Sequence, residues 1–214
     1  MYVTTTDHPF AALVASLNLG FAHEPASKPQ DDAMLMQRYR QGDANAFGIL
    51  YGRYRRRLHR YLLRLAPGAA DAEEVFQDVW AAVIRGRHAY RADTSFASWL
   101  FAIAHRRAAD RWRTLDRHAP DWRNSGQDTS DVEDVVVAAI YAPDHVVQSE
   151  ALGAALLEAI NALPVVQRDA FLLKAEGELT LDQIASVTGT SRETVKSRLR
   201  YAQARLRTAL EAWQ

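Results

Sequence analysis

Thr180 to Arg207 reads TLDQIASVTGTSRETVKSRLRYAQARLR, a short helix, a glycine-bearing turn and a longer helix dense in Arg and Lys. Thr180 with Gln183 three residues on has capping-box spacing, which satisfies two backbone donors that a helix start leaves open. Ile184, Ala185 and Val187 then supply a buried side, and Ala185 is small enough for a second helix to cross closely. Gly189 can take the positive φ of a sharp turn. Thr190 is expected to cap the second helix with Glu193 at its third position, and Val195, Leu199, Ala202, Leu206 and Ala209 recur at helical spacing as its inner stripe. Arg192, Lys196, Ser197, Arg200, Gln203 and Arg207 are left for the outer face. A merely charged surface helix is the simpler account of a basic run. The Ala185, Gly189, Val195 spacing with two caps favours instead a helix-turn-helix whose second helix enters the major groove.

The remaining chain limits what can surround this unit. It has 214 residues, enough for one or two domains, and 48% hydrophobic content is ordinary for core-forming chains. The absence of cysteine excludes a disulfide framework, a thiolate zinc site and a Cys nucleophile, and agrees with a cytoplasmic location. The apolar stretch Phe10 to Phe21 is too short to span a bilayer and follows no basic residues, so neither membrane insertion nor export is expected.

A net charge of zero hides segregation along the chain. Residues 1–30 carry −1, 31–113 carry +6, 114–142 carry −4 and 143–214 carry −1. Asp116 to Asp134 is acidic and polar, contains Pro120 and Gly126, and has no helical period; it reads as an extended, flexible linker. The next residues, 135–141, are apolar and open to either a docked segment or a short helix. Residues 1–30, with Pro9, Pro25 and Pro29, read as a loosely ordered extension.

Everything else reads as helix, with no hairpin chemistry and no repeat. Asp43 caps a long helix with Phe47, Leu50, Tyr54, Leu58, Tyr61, Leu62 and Leu65 inside, ended by Pro67 and Gly68. Arg53, Arg55, Arg56, Arg57, Arg60 and Arg64 face out, as a solvated face or a contact for nucleic acid or an acidic partner. In DAEEVFQDVWAAVIR, Asp71 and Glu74 have capping-box spacing, Val75, Phe76, Val79, Trp80 and Val83 share one arc, and Glu74, Gln77 and Asp78 face the other way. After HAYRADTS comes FASWLFAIAHRRAADRWR, in which Phe96, Trp99, Leu100 and Ile103 pack inward by spacing and Arg106, Arg107, Arg111 and Arg113 crowd the C-terminal half. Cations are favoured at a helix C-terminus by the dipole alone. Aromatics beside such a row also suit unstacked bases and a phosphate backbone held together.

These last two segments, followed by LEAINALPVVQRDAFLL and the helix-turn-helix, resemble the extracytoplasmic-function (ECF) group of bacterial RNA polymerase sigma factors over residues 31–113 and 143–211. The resemblance implies an all-α chain of two small helical domains: a region 2 bundle at 31–113 and a region 4 helix-turn-helix at 143–214, joined by the acidic linker 114–142. It implies core RNA polymerase and promoter DNA as partners, with an anti-sigma protein as a further one. Carried over residue by residue, core polymerase would contact Asp71, Glu74, Gln77 and Asp78. The minus-ten element would be melted and read by Tyr90, Asp93, Thr94, Ser95, Phe96, Ser98, Trp99, Arg106, Arg107 and Arg111. The minus-thirty-five element would be read by Arg192, Glu193, Lys196, Ser197, Arg200 and Tyr201. His105 and Arg106 stand where the family often has Asn, so the base preference at that point departs from the pattern.

Two other classes compete. A free-standing helix-turn-helix regulator would need a sensor or dimerisation domain, which residues 71–113 fit poorly. An enzyme finds no support: the seven histidines are scattered, and HExxH, a phosphate-binding glycine loop and a nucleophile elbow are all missing from the sequence. No catalytic residue, metal ligand or cofactor is expected.

Overall fold

A computed structural model describes residues 29–115 and 146–211. The expectations for residues 1–28 of the extension, for nearly all of the acidic linker and for 135–141 lie outside the described residues; Pro29 and Gln30, placed in the loose extension, instead begin a helix. Within them the chain forms eight helices and no strand: α1 (Pro29–Arg40), α2 (Ala44–Leu65), α3 (Ala69–Arg85), α4 (Phe96–Leu115), α5 (Val146–Ala162), α6 (Val165–Ala175), α7 (Leu181–Thr188) and α8 (Arg192–Leu210).

Helices α1 to α4 pack around α2. The Asp43 carboxylate caps α2 by accepting from the backbone N–H groups of Asn45 and Ala46. Seven α2 residues at helical spacing, including Leu50, Leu58, Tyr61 and Leu62, are buried. From α3, Val75, Val79, Trp80 and Val83 meet that face, and from α4 Leu100, Phe101, Ala104 and Ala108. Asp32 fastens α1 to α2: buried at 2% exposure, it accepts from Arg53 Nη1 at 2.6 Å and from the Tyr54 hydroxyl.

The helices α5 to α8 form the second bundle, with α8 crossing α5, α6 and α7. Pro164 separates α5 from α6, since the residue before proline is pushed out of the α region. The Thr180 capping box is complete, Gln183 N–H donating to Oγ1 and Thr180 N–H to Gln183 Oε1. Gly189 ends α7 at φ 66°, where any side chain would be strained. Val195, Leu199, Ala202 and Leu206 are buried as the periodicity requires.

Three local expectations are corrected. Ser191, not Thr190, caps α8: its Oγ accepts from Thr194 N–H at 3.0 Å, while the Thr190 hydroxyl sits 3.0 Å from that of Thr188. Asp71 lies inside α3, two residues past its start, because the chain enters the helix at Gly68. Ala209 is exposed and Leu210 closes the inner stripe, the 3.6-residue period having drifted by the last turn. Urea unfolding should therefore show Ser191→Ala costing about 1 kcal/mol, with a clearly smaller loss for Thr190→Ala; the reverse order would return the cap to Thr190.

Candidate nucleic-acid interface

The caps at Thr180 and Ser191 hold α7 and α8 at a fixed angle over Ile184 and Val195, both fully buried. With that side fastened, the opposite side of α8 is free for contact. Arg192, Glu193, Lys196 and Arg200 are exposed, and Ser197 and Tyr201 half-buried beside them. The structure therefore brings all six expected minus-thirty-five residues to one end of one helix. Arg192 is steadied by Asp182 of α7 at 3.2 Å, and the Arg200 guanidinium lies 5.1 Å from the Tyr201 ring centre. Nearby Arg198, which periodicity does not single out, is buried at 3% exposure.

The expected minus-ten residues divide by burial. Tyr90 and Phe96 are 3% and 1% exposed and stack with Trp99 as the floor of the 90–96 loop, with ring centres 5.3 to 6.3 Å apart. The Tyr90 hydroxyl donates to the Thr94 carbonyl at 2.7 Å, so this ring shapes the loop from beneath. Ser98 is also buried. Tyr90, Phe96 and Ser98, expected among the minus-ten contacts, are thus buried, Phe96 as its helical spacing also required. Ser95 Oγ accepts from Ser98 N–H at 3.1 Å, which caps α4. The loop exposes Arg91, Ala92, Asp93 and Thr94, the outer side of α4 adds Arg106 and Arg107, and Trp99 is half-buried.

On α3, Glu74, Gln77 and Asp78 are exposed and Asp71 is half-buried. Asp71 and Glu74 both hold Arg111 of α4, at 3.1 and 2.6 Å. The expected polymerase and DNA contacts thus meet in one ion-pair network, which sequence spacing could not reveal because Arg111 is forty residues from Asp71. Gln77 donates to Glu73 at 3.2 Å.

The two bundles meet where α2 faces α6 and α4 faces α7, and several of the groups between them are polar. Tyr61 donates to Asp169 Oδ1 at 2.7 Å, and His105 Nδ1 lies 3.1 Å from Asp169 Oδ2. Burial, reinforced by the Asp169 charge, pushes the Tyr61 hydroxyl well above its ordinary pKa, so it stays a donor. Arg60 grips Glu176 with Nε and Nη2 at 2.8 to 3.1 Å. Burial raises the Glu176 carboxyl above the usual range, with Arg60 pulling against it. Among the described residues no cluster suited to a metal ion occurs, and no helix is long and apolar enough to cross a membrane.

Against known proteins, the Sigma-70 region 2 family matches residues 50–118 and the Sigma-70, region 4 family residues 153–206. The ECF RNA polymerase sigma factor SigM of Mycobacterium tuberculosis is 31% identical over 191 residues, covering 89% of this chain and 88% of the relative. The ECF RNA polymerase sigma-E factor of Escherichia coli is 27% identical over 177 residues, 81% of this chain and 91% of the relative. Of solved structures, CnrH in complex with the cytosolic domain of CnrY shares the fold at a TM-score of 0.60 and 21% identity, over 85% of this chain and 98% of that one. RpoE in complex with the anti-sigma factor NepR, from Bartonella quintana, shares it at 0.57 and 21%, over 77% and 96%. This chain belongs to the sigma-70 family, in its ECF group. It binds core RNA polymerase and promoter DNA and directs the polymerase to promoters; a free-standing regulator is not favoured.

The burial pattern sorts the loop into separable classes. Tyr90→Ala should lower stability by about 3 kcal/mol or more through loss of a buried aromatic, whereas Asp93→Ala and Thr94→Ala should leave the melting temperature within a degree or two. Scanning calorimetry of the three variants checks this.

Proposed function

We propose a division of labour among the faces just described. The exposed side of α3, with Asp78 and Gln77 outermost and Asp71 and Glu74 behind them, docks on core polymerase. The 90–96 loop and the outer side of α4 engage the opened minus-ten strand: Asp93 and Thr94 reach bases, Arg106 and Arg107 meet phosphates, and Trp99 offers a ring edge for stacking. Helix α8 lies in the major groove of the minus-thirty-five element. The observation that carries this reading is the exposed row Arg192, Lys196 and Arg200 on a helix fixed by two side-chain caps. Donors at one-turn spacing on a rigid helix suit successive base edges and phosphates of one groove segment.

The chain acts without catalysing a reaction of its own, in the cytoplasm where polymerase works. An anti-sigma protein controls it, in keeping with the CnrY and NepR complexes of its structural relatives.

Asp78→Lys is the cleanest probe of polymerase docking, because this side chain is exposed whereas Asp71 and Glu74 also hold Arg111. It should weaken binding to core polymerase by at least tenfold with an unchanged melting temperature; wild-type affinity in a pull-down titration would remove α3 from the docking face. Lys196→Ala or Arg200→Ala should cost about 1 to 3 kcal/mol of discrimination at one or two adjacent base pairs. Run-off transcription on a promoter library reads this, and a uniform loss across all sequences would reassign the side chain to phosphate contact.

A further inference from the structure

We propose that the cleft between the C-terminal end of α1 and the turn that follows α3 seats a phosphate of the opened promoter strand, beside the bases taken by the 90–96 loop. The proposal rests on the assignment of that loop to the minus-ten strand and adds a contact outside it.

The cleft has a volume of about 280 Å³ and is lined by Gln37, Arg40, Gln41 and His88. Each of these side chains can donate: the guanidinium through its fork of N–H groups, the amides through their NH2 groups and the imidazole through a ring N–H. All four are exposed, and among the described residues none of the four side chains makes a hydrogen bond or an ion pair. The surrounding sequence carries one sign of charge. Residues 33–42 and 79–92 contain Arg38, Arg40, Arg85, Arg87 and Arg91 and no Asp or Glu. The next carboxylate, Asp43, is taken by Arg38 at 2.6 Å, which holds its carboxyl below the usual range.

Cations in the last turn of a helix are favoured by its dipole, and Arg40 and Arg85 each stand in one. That effect alone does not gather two glutamines, and a histidine from another element, around Arg40. Arg87 is already occupied: it donates to the Ile84 carbonyl at 3.3 Å and lies 5.8 Å from the Tyr39 ring centre. Arg40, at the cleft wall, has no such partner among the described residues.

Both walls are fixed by glycine. Gly42, at φ 101°, takes the chain out of α1 and on to the Asp43 cap of α2 through a conformation that few other residues adopt. Gly86 follows α3, and a Cβ there would meet the Ala82 carbonyl oxygen at 2.9 Å and Trp99 Cζ2 at 3.6 Å. The backbone therefore passes close against the Trp99 indole. From Gly86 the chain turns, Ala89 N–H donating to the Gly86 carbonyl at 2.8 Å, and this turn carries His88. Two residues span at most about 7 Å. A strand with a base on the edge of Trp99 thus has its neighbouring phosphates within reach of the cleft.

Phosphate is the anion that suits this lining, because an arginine fork flanked by amides matches its several oxygens. The lining offers no apolar wall on which a base would stack, so it holds the backbone of a strand and not a base. The same lack disfavours a free nucleotide.

The test uses the full chain with core polymerase, on a promoter recovered by run-off transcription and presented with its minus-ten segment premelted. Arg40→Ala and His88→Ala should each weaken this complex about threefold or more, and Arg40→Ala should lower the salt slope of binding by roughly 0.7, the share of one phosphate on a single strand. Arg40→Lys should keep most of the affinity, and Arg55→Ala, which removes an exposed arginine of α2, should change neither quantity. Melting temperature and affinity for core polymerase without DNA should stay at parent values. Replacing single phosphates of the opened strand by neutral methylphosphonates then locates the seat: at one or two adjacent positions the replacement should weaken the parent complex and leave the Arg40→Ala complex unchanged. Salt slopes and methylphosphonate losses that are equal in the parent and in Arg40→Ala would overturn the seat. So would saturable binding of ATP or inorganic phosphate by the free chain that Arg40→Ala abolishes while the DNA complex is unaffected, since the cleft would then serve a free phosphate. Thr94→Ala on the same template reads the minus-ten assignment separately: if it weakens the complex while the cleft variants do not, the loop keeps its role and the seat is lost.

Discussion

Helix α2 divides its circumference between two tasks, and the other elements are arranged around that division. Its apolar side, from Ala46 to Leu65, is the surface on which α1, α3 and α4 assemble. Helical periodicity then leaves its arginines to the remaining arc, where Arg53 meets Asp32 and Arg57 and Arg60 meet the second bundle. A row that reads in isolation as solvated or nucleic-acid-binding is thus partly committed within the molecule. Of that row, Arg55 and Arg56 are exposed and the other four are half-buried.

The same logic governs the acidic helix. Asp71 and Glu74 face away from the core as their spacing demands, but Arg111 reaches them from α4. The face proposed for polymerase docking and the helix proposed to meet DNA are therefore tied together by these ion pairs. Surface ion pairs of this kind add little stability. Their effect is on geometry: two carboxylates hold the half-buried Arg111, while Arg106, Arg107 and Arg113 are the exposed cations of α4.

Features generated by near neighbours were legible in the sequence. The Thr180 capping box, the Asp43 cap, the left-handed Gly189 and the buried rows of α2, α3 and most of α8 all follow from residues within one or two turns of one another. Features that depend on distant partners were not. Tyr90 looks like a loop aromatic until Phe96 and Trp99 close around it, and His105 looks like an isolated substitution until Asp169 arrives from the other bundle. Asp169 and Glu176 carry no local signal of burial, because what buries them is more than sixty residues away. The Thr190 and Ser191 exchange is of another kind: two hydroxyl residues in succession both fit a cap, and the Thr188 contact of Thr190 decides between them.

A contact made through one continuous chain obeys different arithmetic from one between separate molecules. The two bundles are joined by roughly thirty residues between α4 and α5, so each meets the other at a local concentration on the order of millimolar. A pairing with an intrinsic dissociation constant of only about 0.1 mM would then be formed in about nine molecules in ten, whatever the amount of protein in the cell. The contacts that Asp169 and Glu176 make across the bundles can therefore be weak one by one and still be made.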